Sequence, residues 1–190
     1  MSVIAVLGDA QGFAGPDALR KVLTTVGASR DMRCAAVLAL AKRSGADASD
    51  VLARALSDRD TVLRRYAMVG LAGAGDDRAW EQAFACLQRI LRRPGRAPES
   101  DPRHLPVQSQ AAAAVCYLGR HLDGAGGDRA VRLVAELRDR WDRLSAAEQA
   151  WLAGLWPQCA PDGPAAGEVA PPEARRLEWW VRQPLFGPVH

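Results

Sequence analysis

Several signatures are missing from this chain, and each absence removes a class of function. Its four cysteines, Cys34, Cys86, Cys116 and Cys159, include no pair at C-x-x-C spacing, so neither a zinc site nor a thioredoxin-like redox motif is signalled. Each lies in or beside an Ala/Leu-rich stretch and reads as a buried free thiol. Cys116 and His121, five apart, are a poor pair for a shared metal, and no metal or cofactor is expected. Lysine is nearly absent: Lys21 and Lys42 are the only two, and the other 23 basic residues are arginine. Alanine, glycine and proline are abundant alongside, so a coding bias explains the arginine excess without phosphate binding. No apolar run approaches the ~20 residues that span a bilayer, and no basic region opens the chain as a signal peptide does. The expectation is a cytoplasmic protein with no membrane partner.

Catalytic motifs are missing too. Gly8, Gly12 and Gly15 do not make G-x-G-x-x-G, and no P-loop, H-E-x-x-H or G-x-S-x-G occurs. No Cys or Ser stands in a recognisable motif with His and a carboxylate, so no residue is assigned a catalytic role. What is present is the composition of a folded domain. The 190 residues are 48% hydrophobic and 25% charged, with a net charge of +3. That balance supplies a core and excludes wholesale disorder. It is too mildly basic to be a nucleic-acid footprint by itself.

From Pro16 onward the pattern is helix and short turn. Proline at a first helical position and Asp17 in the first turn open the first helix. Apolar residues at helical spacing, glycines and prolines then mark helices near 16–26, 31–44, 48–57, 60–74, 77–93, 107–122, 128–143, 145–156 and 173–183. The helix at 145–156 begins with a capping box, Ser145 and Glu148. Four prolines make 94–106 a loop. The organisation read from this is an N-terminal segment 1–15, a helical domain 16–156, a linker 157–172 and a C-terminal capping helix and tail 173–190. The short apolar run Val3 to Leu7 has no second strand to pair with.

Similar stretches recur. Ala36, Ala67, Ala114 and Ala147 each precede an apolar residue by four, at Leu40, Leu71, Leu118 and Trp151. Removing the 94–106 loop leaves a repeat of 31 to 34 residues. Alanine and leucine four apart share one helix face, and the small residue admits a neighbouring helix. One hairpin cannot bury that face alone, whereas four stacked hairpins can.

The stretch from Leu56 to Leu71 resembles the HEAT-repeat (armadillo-type) family. The resemblance implies an all-α, right-handed α-α superhelix of about four helical hairpins. In that family an aspartate in the inter-helix turn and an arginine early in the second helix build a ladder between repeats; Asp58, Arg64 and Arg33 match those positions. The family also lines a concave groove with its second helices. With Ala67 as core, that groove falls on Arg65, Val69 and Ala72. Its equivalents are Cys34, Leu38 and Ala41, then Ala112, Cys116 and Gly119, then Ser145, Gln149 and Leu152. Such a surface is small and apolar, with Arg65 its one charge, and suits a protein partner rather than nucleic acid.

A second candidate surface is the arginine-rich end of the fifth helix and the loop after it: Arg89, Arg92, Arg93, Arg96 and Arg103, opposed only by Glu99 and Asp101. Trp179 is a candidate contact, while Trp151 is expected in the core. The seventh helix reads as a solvated face with the pairs Asp128/Arg132, Glu136/Arg140 and Asp139/Arg143. The function these features point to is a non-catalytic scaffold or adaptor that binds a protein through its groove or its arginine-rich loop. The alternative is a DNA-binding HEAT-like protein of the alkylpurine DNA glycosylase type, disfavoured by the apolar groove.

Overall fold

A computed structural model describes residues 15–93, 109–124 and 126–164. The expected N-terminal segment, the 94–106 loop and the C-terminal helix lie outside these residues. Among the described residues every regular element is helical. The chain divides into two compact units, Met1–Ala83 and Phe84–His190.

Unit 1 holds α1 (Pro16–Thr24), α2 (Arg30–Ser44), α3 (Ser49–Ala55), α4 (Thr61–Ala74) and the start of α5 (Trp80–Leu91). Local chemistry sets the boundaries. The Ser29 hydroxyl accepts from Met32 N at 3.2 Å and starts α2, and Gly45 at φ +53 ends it, a conformation that glycine adopts without steric cost. Asp60 starts α4 by accepting from Val62 N at 2.8 Å. The α2 and α4 helices pack extensively on each other and run parallel. Their first turns meet at Arg30 and Asp60, 2.8 Å apart. Near their far ends Gly70 lies against Ala41, so closely that a Cβ on Gly70 would sit 3.3 Å from that of Ala41. The seam alanines and leucines, Ala36, Leu40, Ala67 and Leu71, are fully buried. The N-terminus of α3 meets the turn before α5 in the same manner. Asp76 N donates to the buried Ser49 hydroxyl at 2.9 Å, and Arg78 reaches the Ala46 carbonyl at 2.8 Å and Asp50 at 3.3 Å.

Unit 2 holds the rest of α5, α6 (Gln110–Arg120), α7 (Asp128–Asp139) and α8 (Ala146–Leu155). Here α5 and α7 run parallel in a fixed register. The Arg132 guanidinium lies 4.9 Å from the Phe84 ring centre, and one turn on Gln88 donates to Glu136 at 2.8 Å. In α6 all nine residues from Ala111 to Gly119 are buried. The stretch 157–163, expected as the start of a linker, is fixed to α7. Arg138 donates to the carbonyls of Ala160, Pro161 and Gly163 at 3.1, 3.2 and 2.7 Å, and Cys159 is buried.

Two further expectations change. The α7 helix stops at Asp139, and a tighter turn at Trp141–Arg143 follows. That turn is stabilised by Gln149, which donates to the Trp141 carbonyl at 2.8 Å. The expected Asp128/Arg132 and Glu136/Arg140 pairs form, while Arg140 also pairs with Asp139 and Arg143 pairs with Asp142. In α8 the inward row is Glu148 and Leu152, so Ala147 and Trp151 are only half-buried. Glu148 turns inward because its hydrogen bonds lie there.

Candidate partner-binding surface

Most of the positions expected to line an apolar groove along the second helices are buried. Val69 is 6% exposed, and Ala72, Cys34, Ala41, Ala112, Cys116, Gly119, Ser145 and Leu152 are buried as well. Only Arg65, Leu38 and Gln149 among those twelve positions are half-buried. The reason is visible in α4, where the six residues Ala67 to Ala72 are all buried. A helix that is small and apolar on every side is a core helix, not the wall of a groove. Val69 is therefore not a contact residue on an open face.

Arg65 remains partly accessible on α4. At the end of α5, Arg89, Arg92 and Arg93 are exposed. Arg89 lies in its last turn, and Arg92 and Arg93 follow its last residue, Leu91. Arg96, Arg103 and Trp179 lie outside the described residues. Exposed apolar side chains are scattered, with Val26 99% exposed in the turn after α1 and Met32, Val62 and Val131 less so.

The ladder residues are engaged, with altered roles. Asp58 accepts from Arg33 at 2.5 Å and from Asp60 N at 2.8 Å. Because Arg33 belongs to α2 and Asp58 to the turn between α3 and α4, this pair ties one hairpin to the next. Arg64 does not supply that link. It folds back on its own turn, donating to the carbonyls of Asp58 at 2.6 Å and Arg59 at 3.1 Å and to the Thr61 hydroxyl at 3.0 Å. Partial burial opposes ionisation of Asp58, but the hydrogen bonds from Asp60 N–H and Arg33 outweigh it and hold its carboxyl below the ordinary value. The Asp60 carboxyl is lowered too, chiefly by its hydrogen bond from Arg30.

A third polar cluster joins the N-termini of α6 and α8. The Ser109 hydroxyl starts α6 by accepting from Ala112 N at 3.1 Å and donates to the Glu148 carboxylate. Glu148 also accepts from Ser145 N at 2.7 Å, and the Ser145 hydroxyl accepts from Glu148 N at 3.2 Å. Glu148 is 1% exposed. The capping box was legible in the sequence, but its partner Ser109, 39 residues away, had no signal beyond being a serine before an alanine run. Arg30 likewise was missed, because no local spacing connects it to Asp60.

None of the four cysteines forms a disulfide, and all four are buried. Burial pushes the Cys34 thiol up to about 11 and Cys116 up to about 12, and raises Cys159 further. These are the properties of packing residues rather than nucleophiles. Among the described residues, no three His, Cys, Asp or Glu side chains are grouped to hold a metal ion, and no helix is long and apolar enough to cross a membrane. Comparison with protein-family models, curated proteins and solved structures finds no match to this chain.

Proposed function

We propose that the hairpins stack as a right-handed HEAT-like superhelix and that the chain is a non-catalytic scaffold or adaptor for a protein partner. The observation that carries this reading is the recurring meeting of alternate helices at their N-termini: α2 with α4, α3 with the turn before α5, and α6 with α8. Stacked hairpins produce that arrangement, because each hairpin lays its helices beside the equivalent ones of the next. The Arg33–Asp58 pair supports the reading further, since it joins successive hairpins where the HEAT-type ladder would. Accessible arginines on α4 and at the end of α5 supply the contact surface, and four buried thiols outside any disulfide suit a reducing, cytoplasmic setting.

Affinity capture from cells that express the protein tests this. Wild type is compared with Arg65→Glu and with Arg92→Glu/Arg93→Glu. The expected result is a discrete protein retained by wild type and lost with one of the variants. Recovery of nucleic acid instead, sensitive to salt and to nuclease, favours the DNA-binding alternative.

A further inference from the structure

The stretch after α8 is a loop closed on itself. Its backbone bonds are local: Cys159 N donates to the Trp156 carbonyl at 2.9 Å, Ala160 N to that of Pro157 at 3.0 Å and Gly163 N to that of Ala160 at 3.0 Å. Its ends touch. A Cβ on Gly163 would overlap the Pro157 carbonyl oxygen and come within 3.0 Å of that of Ala160, so this close approach requires glycine. With their ends together, residues 157–163 form a compact loop of the Ω type.

The attachment to α7 is of a different kind. Arg138, in the last turn of α7, grips the loop at three points, the carbonyls of Ala160, Pro161 and Gly163. Water reaches this grip, because Arg138 is only half-buried. Beneath the loop the surroundings are dry. Trp156 is 2% exposed and Cys159 is completely buried, and burial holds the Cys159 thiol well above its ordinary value.

We propose that residues 157–163 are a strap latched by Arg138, which opens as a unit while the helices of unit 2 stay folded and so uncovers Cys159 and Trp156. Hydrogen bonds open to water contribute little each, because solvent replaces them. The helices of unit 2 are held instead by a core that takes in all of Ala111 to Gly119. Segments held in the first way open far more often than the whole unit unfolds. Closed, the strap keeps the thiol protonated and shielded. Open, it presents a thiol of ordinary reactivity beside an indole ring. Such a gate requires no partner, so it stands whether or not the chain is an adaptor.

Timed labelling of the full chain with N-ethylmaleimide, resolved cysteine by cysteine through peptide mass spectrometry, provides the test. Cys86 in α5 and Cys116 in α6 are buried in the helices of unit 2 and report its unfolding. In wild type, Cys159 is expected to label about tenfold or more faster than either. Arg138→Met removes the donors and keeps the stem. It should speed Cys159 by about a further tenfold, with Cys86, Cys116 and the circular dichroism unchanged. Arg138→Lys keeps the charge without the fork and falls between the two. Gly163→Ala forces the loop ends apart without touching Arg138 and should have the same selective effect. Equal rates for Cys159, Cys86 and Cys116 in wild type overturn the proposal, because the strap then opens only with the whole unit. An unchanged Cys159 rate in Arg138→Met overturns it as well, as does joint acceleration of all three thiols in both Arg138→Met and Gly163→Ala.

Discussion

In unit 1 the first turns of α2 and α4 meet through guanidinium–carboxylate pairs that water reaches, whereas in unit 2 those of α6 and α8 meet through a carboxylate sealed from it. Side-chain exposure is 62% for Arg30 and 24% for Asp58, against 1% for Glu148. The task is the same in both places: each helix N-terminus carries orphan N–H groups, and two such termini must lie side by side. At the water-exposed junction solvent substitutes for any lost partner. At the sealed junction nothing does, so each hydrogen bond there carries the full desolvation cost of its loss.

This contrast breaks first at Glu148. Glu148→Ala removes the acceptor of Ser145 N and of the Ser109 hydroxyl together and leaves both buried. Urea unfolding is expected to show a loss of about 3 kcal/mol; a loss under about 1 kcal/mol would put this junction on a par with the exposed one. Glu148→Gln recovers part of the loss, because glutamine also serves a capping box.

Packing in unit 1 ranks next. Gly70→Val forces branched carbons against Ala41 and Leu52, already 3.3 to 3.5 Å from a single added Cβ, and should cost about 2 kcal/mol. Gly70→Ala should be close to neutral, since a gain of up to about 1 kcal/mol in helix propensity opposes the tight contact. A melting temperature unchanged by valine would mean that α2 and α4 separate freely.

Asp58→Asn isolates the ion pair, with an expected loss of about 1 kcal/mol near neutral pH. The effect has a defined pH dependence. The folded carboxyl titrates below its unfolded value of about 3.9, so its contribution is present above that pH and fades as the pH falls through the lowered value. Melting temperatures of wild type and variant should therefore converge in acid. Curves that stay parallel down to about pH 2 would remove the carboxylate from the stability of unit 1. The smallest effect belongs to Arg30→Ala, for which no measurable change in melting temperature is expected, because its pair with Asp60 is open to solvent.

Local signals in the sequence carried the helices. Glycine at 45 and 75, proline at 16, and the serine and aspartate caps at 29, 60 and 145 act within one turn and can be read without the fold. The burial of Ala36, Ala67 and Ala114 followed from their spacing. What spacing could not supply was the number of neighbours around a helix. A one-sided wheel placed Val69 and Cys116 on an open face, but side chains this small let helices approach from several directions. The early end of α7 was hidden for a related reason, as no glycine or proline marks it and Gln149 supplies the hydrogen bond from a different helix. On the candidate surface, the exposed arginines at the end of α5 were legible as charge.

Glu148 has a dynamic consequence as well. One carboxylate serves the starts of two helices that are distant in the chain, so neither end can fray without releasing the other. The amides of Ala112 and Glu148, although 36 positions apart, should exchange with deuterium at one shared rate, as members of a single opening unit.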